Sequence, residues 1–506
     1  MPNKWEALNQ KTIDFLQKGN YEEALESANE AVEFARGAGE QQHLAVGLNN
    51  LGEVYQTLGD LASAEEALLE AIDIYNKVYG PAHLETALTL YSLAAMYVDM
   101  KRYNEAESLF RQELSIREKH QSADDPGLVQ ALLGLAESVQ SQGRNEESRT
   151  HLERAVSILE KLSGDSNPEL GPVLICLAET YQKENQLEEA GKILRRVLKI
   201  YENTIGDGHP AFADALGRLA ENYMAGGIYQ AAVPLMEQAI ALLKESLPAD
   251  DPEIPRKTEK LAALYQVTGQ NEKAEQCLKE TIKLYQKALG DEHPAAAEVQ
   301  NDLGEYYLSQ GRADEAKQVF EASLQAREAA LGSKHPAVAQ SLNNIAVILG
   351  NEGRFAEAEP LHLRALDIRR ACFGQRHVVV AQSMENLAAI YQALEKSQEA
   401  EDLLKEAVSI WEENVGKDHP STAQAYFNLG TLLFARDNYK ESEEMLQRSR
   451  KIMVKKLGAG NRDMAMIYRA LCIVNEKMGN EQDAKEYAIR FAKIIKQESP
   501  EKGKRS

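Results

Sequence analysis

The sequence predicts an all-α chain, a solenoid of about twelve antiparallel helix pairs, and three observations predict it. A leucine or isoleucine recurs every 42 positions without insertion or deletion, from Leu51 through Leu93, Leu135, Leu177, Leu219, Leu261, Leu303, Ile345, Leu387 and Leu429 to Leu471. So strict a register is an internal repeat. Thirteen residues after each stands a small residue, from Ala64 and Ala106 through Ala358 to Ser442 and Ala484. Small size at a fixed place lets two helix backbones cross closely. The third observation is punctuation: His-Pro or a polar equivalent opens each unit and glycine closes most of them.

The unit Lys334 to Gly374 illustrates the pattern. Pro336 suits the first position of a helix, where its missing N–H would have had no partner. Leu342, Ile345, Ala346 and Leu349 form one apolar stripe at helical spacing. Gly353 ends this first helix, and a second packs through Ala358, Leu361, Ala365 and Ile368 before Gly374.

In chain order, residues 5–38 form a shortened first copy and residues 461–496 an atypical last one, both expected of caps. Further copies begin at His43, His83, Asp125, Asn167, His209, Asp251, His293, His335, His377 and His419. No linker interrupts residues 5–496, so one continuous solenoid is expected, followed by a charged flexible tail at 498–506.

Composition excludes several functions. A net charge of −22 opposes nucleic acid and anionic membrane, which require clustered Lys and Arg. No apolar run approaches a membrane span, and the start lacks a secretory layout, so a cytoplasmic location is expected. Cys176, Cys277, Cys372 and Cys472 are dispersed and suggest reduced, buried or half-buried thiols.

No phosphate loop, nucleophile elbow or zinc-protease motif occurs, so neither an enzyme nor a cofactor is expected. His83, His209, His293, His335, His377 and His419 share one repeat position with Asp125, Asn167, Asp251 and Asn461. One per repeat is a spacing for helix capping, not for converging metal ligands. His362 falls in an apolar slot and is expected to pack there. The Glu-rich starts of second helices read as solvated faces.

The pattern L-[GA]-x-x-Y, a glycine, then a small residue at the crossing resembles the tetratricopeptide repeat. The period of 42 and lines such as HPAVAQSLNNIAVI and HPSTAQAYFNLGTLL are similar to the variant found in kinesin light chains. No heptad segment precedes the array, so pairing with a kinesin heavy chain is not expected. The resemblance implies that the solenoid is a right-handed superhelix and that first helices line a concave groove. It also implies that an Asn just before the repeat leucine bonds a bound peptide, a role that falls to Asn50, Asn344, Asn386 and Asn428.

The residues five, two and one before and two after that leucine share one helix face. On it lies an amide ladder: Gln340, Gln382 and Gln424 in one row, Asn301 and Asn343 in another, Asn344, Asn386 and Asn428 in a third. Asn in a helix costs up to ~0.7 kcal/mol relative to Ala, so its recurrence needs a reason. Binding an extended peptide and cross-bonding neighbouring helices both satisfy amides. Earlier repeats place Glu53, Glu137, Glu179 and Glu221 on this face, which suggests a partner basic toward the N-terminal half. The expected function is a non-enzymatic scaffold that binds a partner's peptide segment. A self-associating structural subunit and a ligand-responsive sensor are the alternatives.

Overall fold

The computed structural model describes residues 4–497; the tail expected at 498–506 lies outside them. Every regular element among the described residues is an α-helix. The chain divides into two compact units, Met1–Pro248 with Ala263–Gly269, and Ala249–Ala262 with Gln270–Ser506.

The first unit contains α1 (Lys4–Gln17), α2 (Tyr21–Ala38), α3 (Gln41–Leu58), α4 (Leu61–Tyr79), α5 (Leu84–Asp99) and α6 (Tyr103–His120). It continues with α7 (Gly127–Ser141), α8 (Asn145–Ser163), α9 (Leu170–Lys183), α10 (Leu187–Thr204), α11 (Pro210–Ala225) and α12 (Tyr229–Ser246). Residues of α13 (Glu253–Val267) fall in both units. The second unit holds α14 (Asn271–Leu289), α15 (Pro294–Ser309), α16 (Ala313–Leu331), α17 (Pro336–Asn351), α18 (Phe355–Phe373) and α19 (Val378–Ala393). It ends with α20 (Ser397–Val415), α21 (Pro420–Ala435), α22 (Tyr439–Leu457), α23 (Met464–Met478) and α24 (Glu481–Gln497).

Within each unit consecutive helices pack as antiparallel pairs, and pair stacks on pair. Odd-numbered helices are the first of each pair. In the second unit α17 approaches α19, α19 approaches α21 and α21 approaches α23 more closely than successive second helices approach one another. The first helices therefore share one side of the stack.

The crossing residues are buried as their size requires: Ala64, Ala106, Ala190, Ala358 and Ala400 are 0% exposed. All ten recurrent cap positions do the same work. His83, His209, His293, His335, His377 and His419 each accept, through Nδ1, the N–H two residues on. Asp125, Asn167, Asp251 and Asn461 accept the equivalent N–H through a side-chain oxygen. Each satisfies one of the N–H groups that a helix start leaves without a partner. His362 is buried, and burial with the neighbouring Arg369 charge pushes its pKa down to about 4, so it packs as a neutral ring.

Three findings were not expected. The turn between paired helices needs a left-handed residue, and where glycine is missing Lys101, Asn185, Glu395 and Asp437 adopt φ near 60°. For residues other than glycine such conformations cost of order 1–3 kcal/mol, held in place by the surrounding stack.

The repeat tyrosine is also more than apolar filling. Tyr97 donates to Glu65 of the preceding pair at 2.6 Å, and Arg102 pairs with the same carboxylate at 2.9 Å. Tyr307 and Arg312 repeat this on Glu275, at 3.1 and 2.5 Å. Bonds from Arg312, Lys279 and Tyr307 hold the Glu275 carboxyl down at about 2. Glu65 and Glu107 thus tie pair to pair and are not merely solvated. The thiols differ from expectation as well: Cys277 is buried, but Cys176 and Cys372 are exposed, one on a first-helix stripe and one at the end of α18.

Candidate first-helix face

The candidate site is the face that first helices turn away from their leucine stripe. In the second unit Gln340, Gln382 and Gln424 are exposed on it, and Asn343, Asn344, Asn386 and Asn428 are half-buried. The half-buried amides are joined across pairs. Asn344 Nδ2 donates to Asn301 Oδ1 at 3.1 Å, and Asn386 Nδ2 to Asn343 Oδ1 at 2.8 Å. Asn428 Nδ2 continues the series to Glu385 Oε2 at 2.9 Å. In each bond the residue before one leucine reaches the residue two before the preceding leucine, 43 positions back. Asn50 makes a matching bond in the first unit, to Asn9 at 2.8 Å.

Asn301 is 2% exposed; its Nδ2 donates to Glu305 at 2.8 Å while its oxygen accepts from Asn344. It lies beneath the face. Gln424 donates to Asn428 Oδ1 at 3.0 Å. Gln340 and Gln382 carry no side-chain bond among the described residues, and the Oδ1 atoms of Asn344 and Asn386 accept none. Each of those asparagines therefore spends its donor on the stack and keeps its acceptor toward solvent.

Glu385 shows what the cross-bond supports. Burial raises its pKa, while Trp411 Nε1, donating at 2.7 Å to Oε1, and Asn428 favour the ionised form. Asn428→Ala is expected to raise that pKa further, because a donor to the charged form is lost. The pH dependence of Trp411 emission, measured in a Trp5→Phe background, checks this; the midpoint should move to higher pH.

The first unit offers carboxylates in place of amides. Glu53 and Glu137 are exposed, and Glu179 and Glu221 are half-buried. Burial, Asp99 and Glu179 all raise the Glu137 pKa. Glu179 is paired with Arg218, which also holds Asp214 at 2.6 Å. Together Glu179, Lys183, Arg218 and Glu221 line a notch of about 400 Å³ in which acid and base are mixed. The second unit has its own acidic spot: burial and the charges of Glu259, Glu305 and Glu298 push Asp302 up to about 6.

Sequence reasoning missed a different stretch of the same face. In α23 its four positions are Met466, Arg469, Ala470 and Ile473, three of them apolar, a departure visible in the sequence but absorbed there into the idea of a cap.

Among the described residues no group of three or more His, Cys, Asp or Glu could hold a metal ion. No helix among them is long and apolar enough to cross a membrane.

Comparison with known proteins agrees with this architecture. A family profile described as tetratricopeptide repeat matches residues 6–77, 43–119, 170–245, 253–329, 307–371, 337–413, 379–453 and 421–497. A second tetratricopeptide repeat profile matches residues 128–169. Among curated proteins nothing matches. One similar solved structure contains the nearly identical TPR-like repeats of a candidate kinesin light chain from Podosopora anserina. It is 28% identical, covering 41% of this chain and 98% of its own, with a TM-score of 0.37. Another is BtubC (BKLC) from P. vanneervenii, 20% identical over 54% of this chain and 92% of its own, also with a TM-score of 0.37. With family profiles matched along most of its length, the chain belongs to the tetratricopeptide repeat family.

Proposed function

We propose that the protein is a non-enzymatic scaffold that holds an extended segment of a partner protein against its first-helix face, chiefly across α17, α19 and α21. One observation carries the reading. Gln340 and Gln382 are exposed without side-chain partners, beside the Asn344 and Asn386 oxygens that the cross-pair bonds leave open. Donors and acceptors repeated at one helix-pair spacing suit the alternating N–H and C=O groups of an extended main chain. Affinity then comes from many modest contacts. Along the first unit the bound segment is basic, drawn by Glu53, Glu137 and Glu221. The place of action is the cytoplasm, where four free cysteines stay reduced.

The two amide rows have separable roles, and this supplies the test. Gln340, Gln382 and Gln424 replaced together by Ala should weaken affinity for a partner recovered by pull-down by about tenfold, the equivalent of ~1.4 kcal/mol, with the melting temperature nearly unchanged. Replacing Asn344, Asn386 and Asn428 should lower the melting temperature, because Glu385 and the buried Asn301 lose their donors. Calorimetric titration and thermal melts of the two variants measure both effects. Undiminished affinity in the glutamine variant would contradict the proposal.

A further inference from the structure

The first-helix face changes character at the C-terminal end of the second unit. Where α17 presents Gln340, Asn343, Asn344 and Val347, α23 presents Met466, Arg469, Ala470 and Ile473. Met466 is 57% exposed and Ile473 36%. With Phe427 and Phe434 of α21 and Leu446 of α22 they line an open cavity of about 210 Å³. Apolar groups gathered around a concavity and left in water mark a place where something docks.

Two further observations say what kind of group docks. Arg469 lines the same cavity, is exposed, and forms no ion pair or hydrogen bond with any described residue. It is the one charged residue lining the cavity, and α22, α23 and α24 together carry twelve Lys and Arg against seven Asp and Glu, in a chain whose net charge is −22. An unpaired guanidinium beside an apolar hollow is complementary to an apolar side chain with a carboxylate next to it.

The cavity also continues the amide face. Phe427, in its wall, adjoins Asn428 in sequence. Packed helices lie ~8–10 Å apart, and an extended chain advances ~3.3 Å per residue with alternate side chains on one face. A main chain held at α19 and α21 therefore brings a side chain over the hollow within about three residues.

We infer that this cavity receives a bulky apolar side chain of the partner segment, and that Arg469 pairs with an acidic residue beside it. This rests on the scaffold reading given above. Apolar burial supplies affinity, and Arg469 supplies the choice of sequence and its direction.

The test is fluorescence anisotropy on the full chain with two labelled peptides, alike except that a central Phe is followed by two Asp in one and by two Lys in the other. The wild type should bind the acidic peptide about tenfold more tightly. Arg469→Glu, on an exposed position that does not endanger folding, should reverse the preference. Ala470→Trp, which fills the hollow, should weaken both peptides about tenfold, with circular dichroism confirming that helicity is kept. Equal binding of the two peptides, or acidic-peptide affinity unchanged in Arg469→Glu, would overturn the inference. Should the glutamine variant lose a recovered partner while Arg469→Glu keeps it, the scaffold reading stands and this one falls. If Arg469→Glu instead turns a concentration-dependent oligomer into a monomer, the hollow belongs to a second copy and the inference also falls.

Discussion

Gly134→Ala is expected to destabilise the first unit by about 2 kcal/mol, the middle of the range for forcing an extra carbon into a packed core. A Cβ on Gly134 would lie 2.3 Å from Cζ of Phe110, with two more ring atoms within 2.8 Å. Phe110 is 1% exposed, so its ring must shift within packed surroundings to make way. The double variant Gly134→Ala with Phe110→Leu should recover most of the loss, since leucine or methionine fills the same slot at Leu68, Leu152, Leu194 and Met236. Urea melts of the single and double variants measure both outcomes. The clash also explains a break in the asparagine row, because Gly134 occupies the position of Asn344 and the Phe110 ring needs that space.

Glu113→Gln is expected to stabilise the same unit at alkaline pH and to leave it nearly unchanged at acidic pH. The slot of Glu113 is held elsewhere by Ala71, Ala155, Ala239, Ala365 and Ala407. Glu113 is 0% exposed; Arg117 donates to Oε1 at 2.7 Å, while Oε2 is buried without a hydrogen-bond partner. Burial pushes its pKa up to about 7 against the Arg117 interaction. A carboxyl whose pKa is higher in the folded chain than the ordinary 4.5 adds stability while protonated. That contribution is complete below about 4.5 and is lost as pH rises through about 7. The full difference is ~3 kcal/mol by linkage. Thermal melts from acidic to alkaline pH should show the wild type losing stability across this window, and Glu113→Gln holding a flatter profile.

These two residues show what the sequence displays and what it hides. Helix pairing, register, caps and crossing residues are legible because each depends on spacing within one repeat. A glutamate in an alanine slot is likewise visible once repeats are aligned. The ties between repeats are not, because they join residues on different elements. Nothing in the spacing says that Tyr97, Arg102 and Glu65 converge, and the acid therefore looks like a solvated helix face.

The asparagines pose the same difficulty in milder form. Their recurrence signals a purpose, but cross-bonding and peptide binding predict the same letters. Only the 43-residue step from Asn386 to Asn343 assigns their donors to the stack. The apolar hollow at Met466 and Ile473 is hidden for another reason: departure from the repeat pattern is expected at a terminal copy whether or not it binds anything.

The central claim, that the first-helix face grips a partner segment, is tested most directly by site-specific photocrosslinking. A photoreactive residue would be placed at Gln382 on that face, and in a second protein at the exposed Gln398 of α20. Both would be irradiated with the recovered partner, and the adducts mapped by mass spectrometry. The account predicts one short partner segment joined through position 382 and little or nothing through position 398. Adducts through position 398 alone, or equal yields scattered along the partner from both positions, would contradict it.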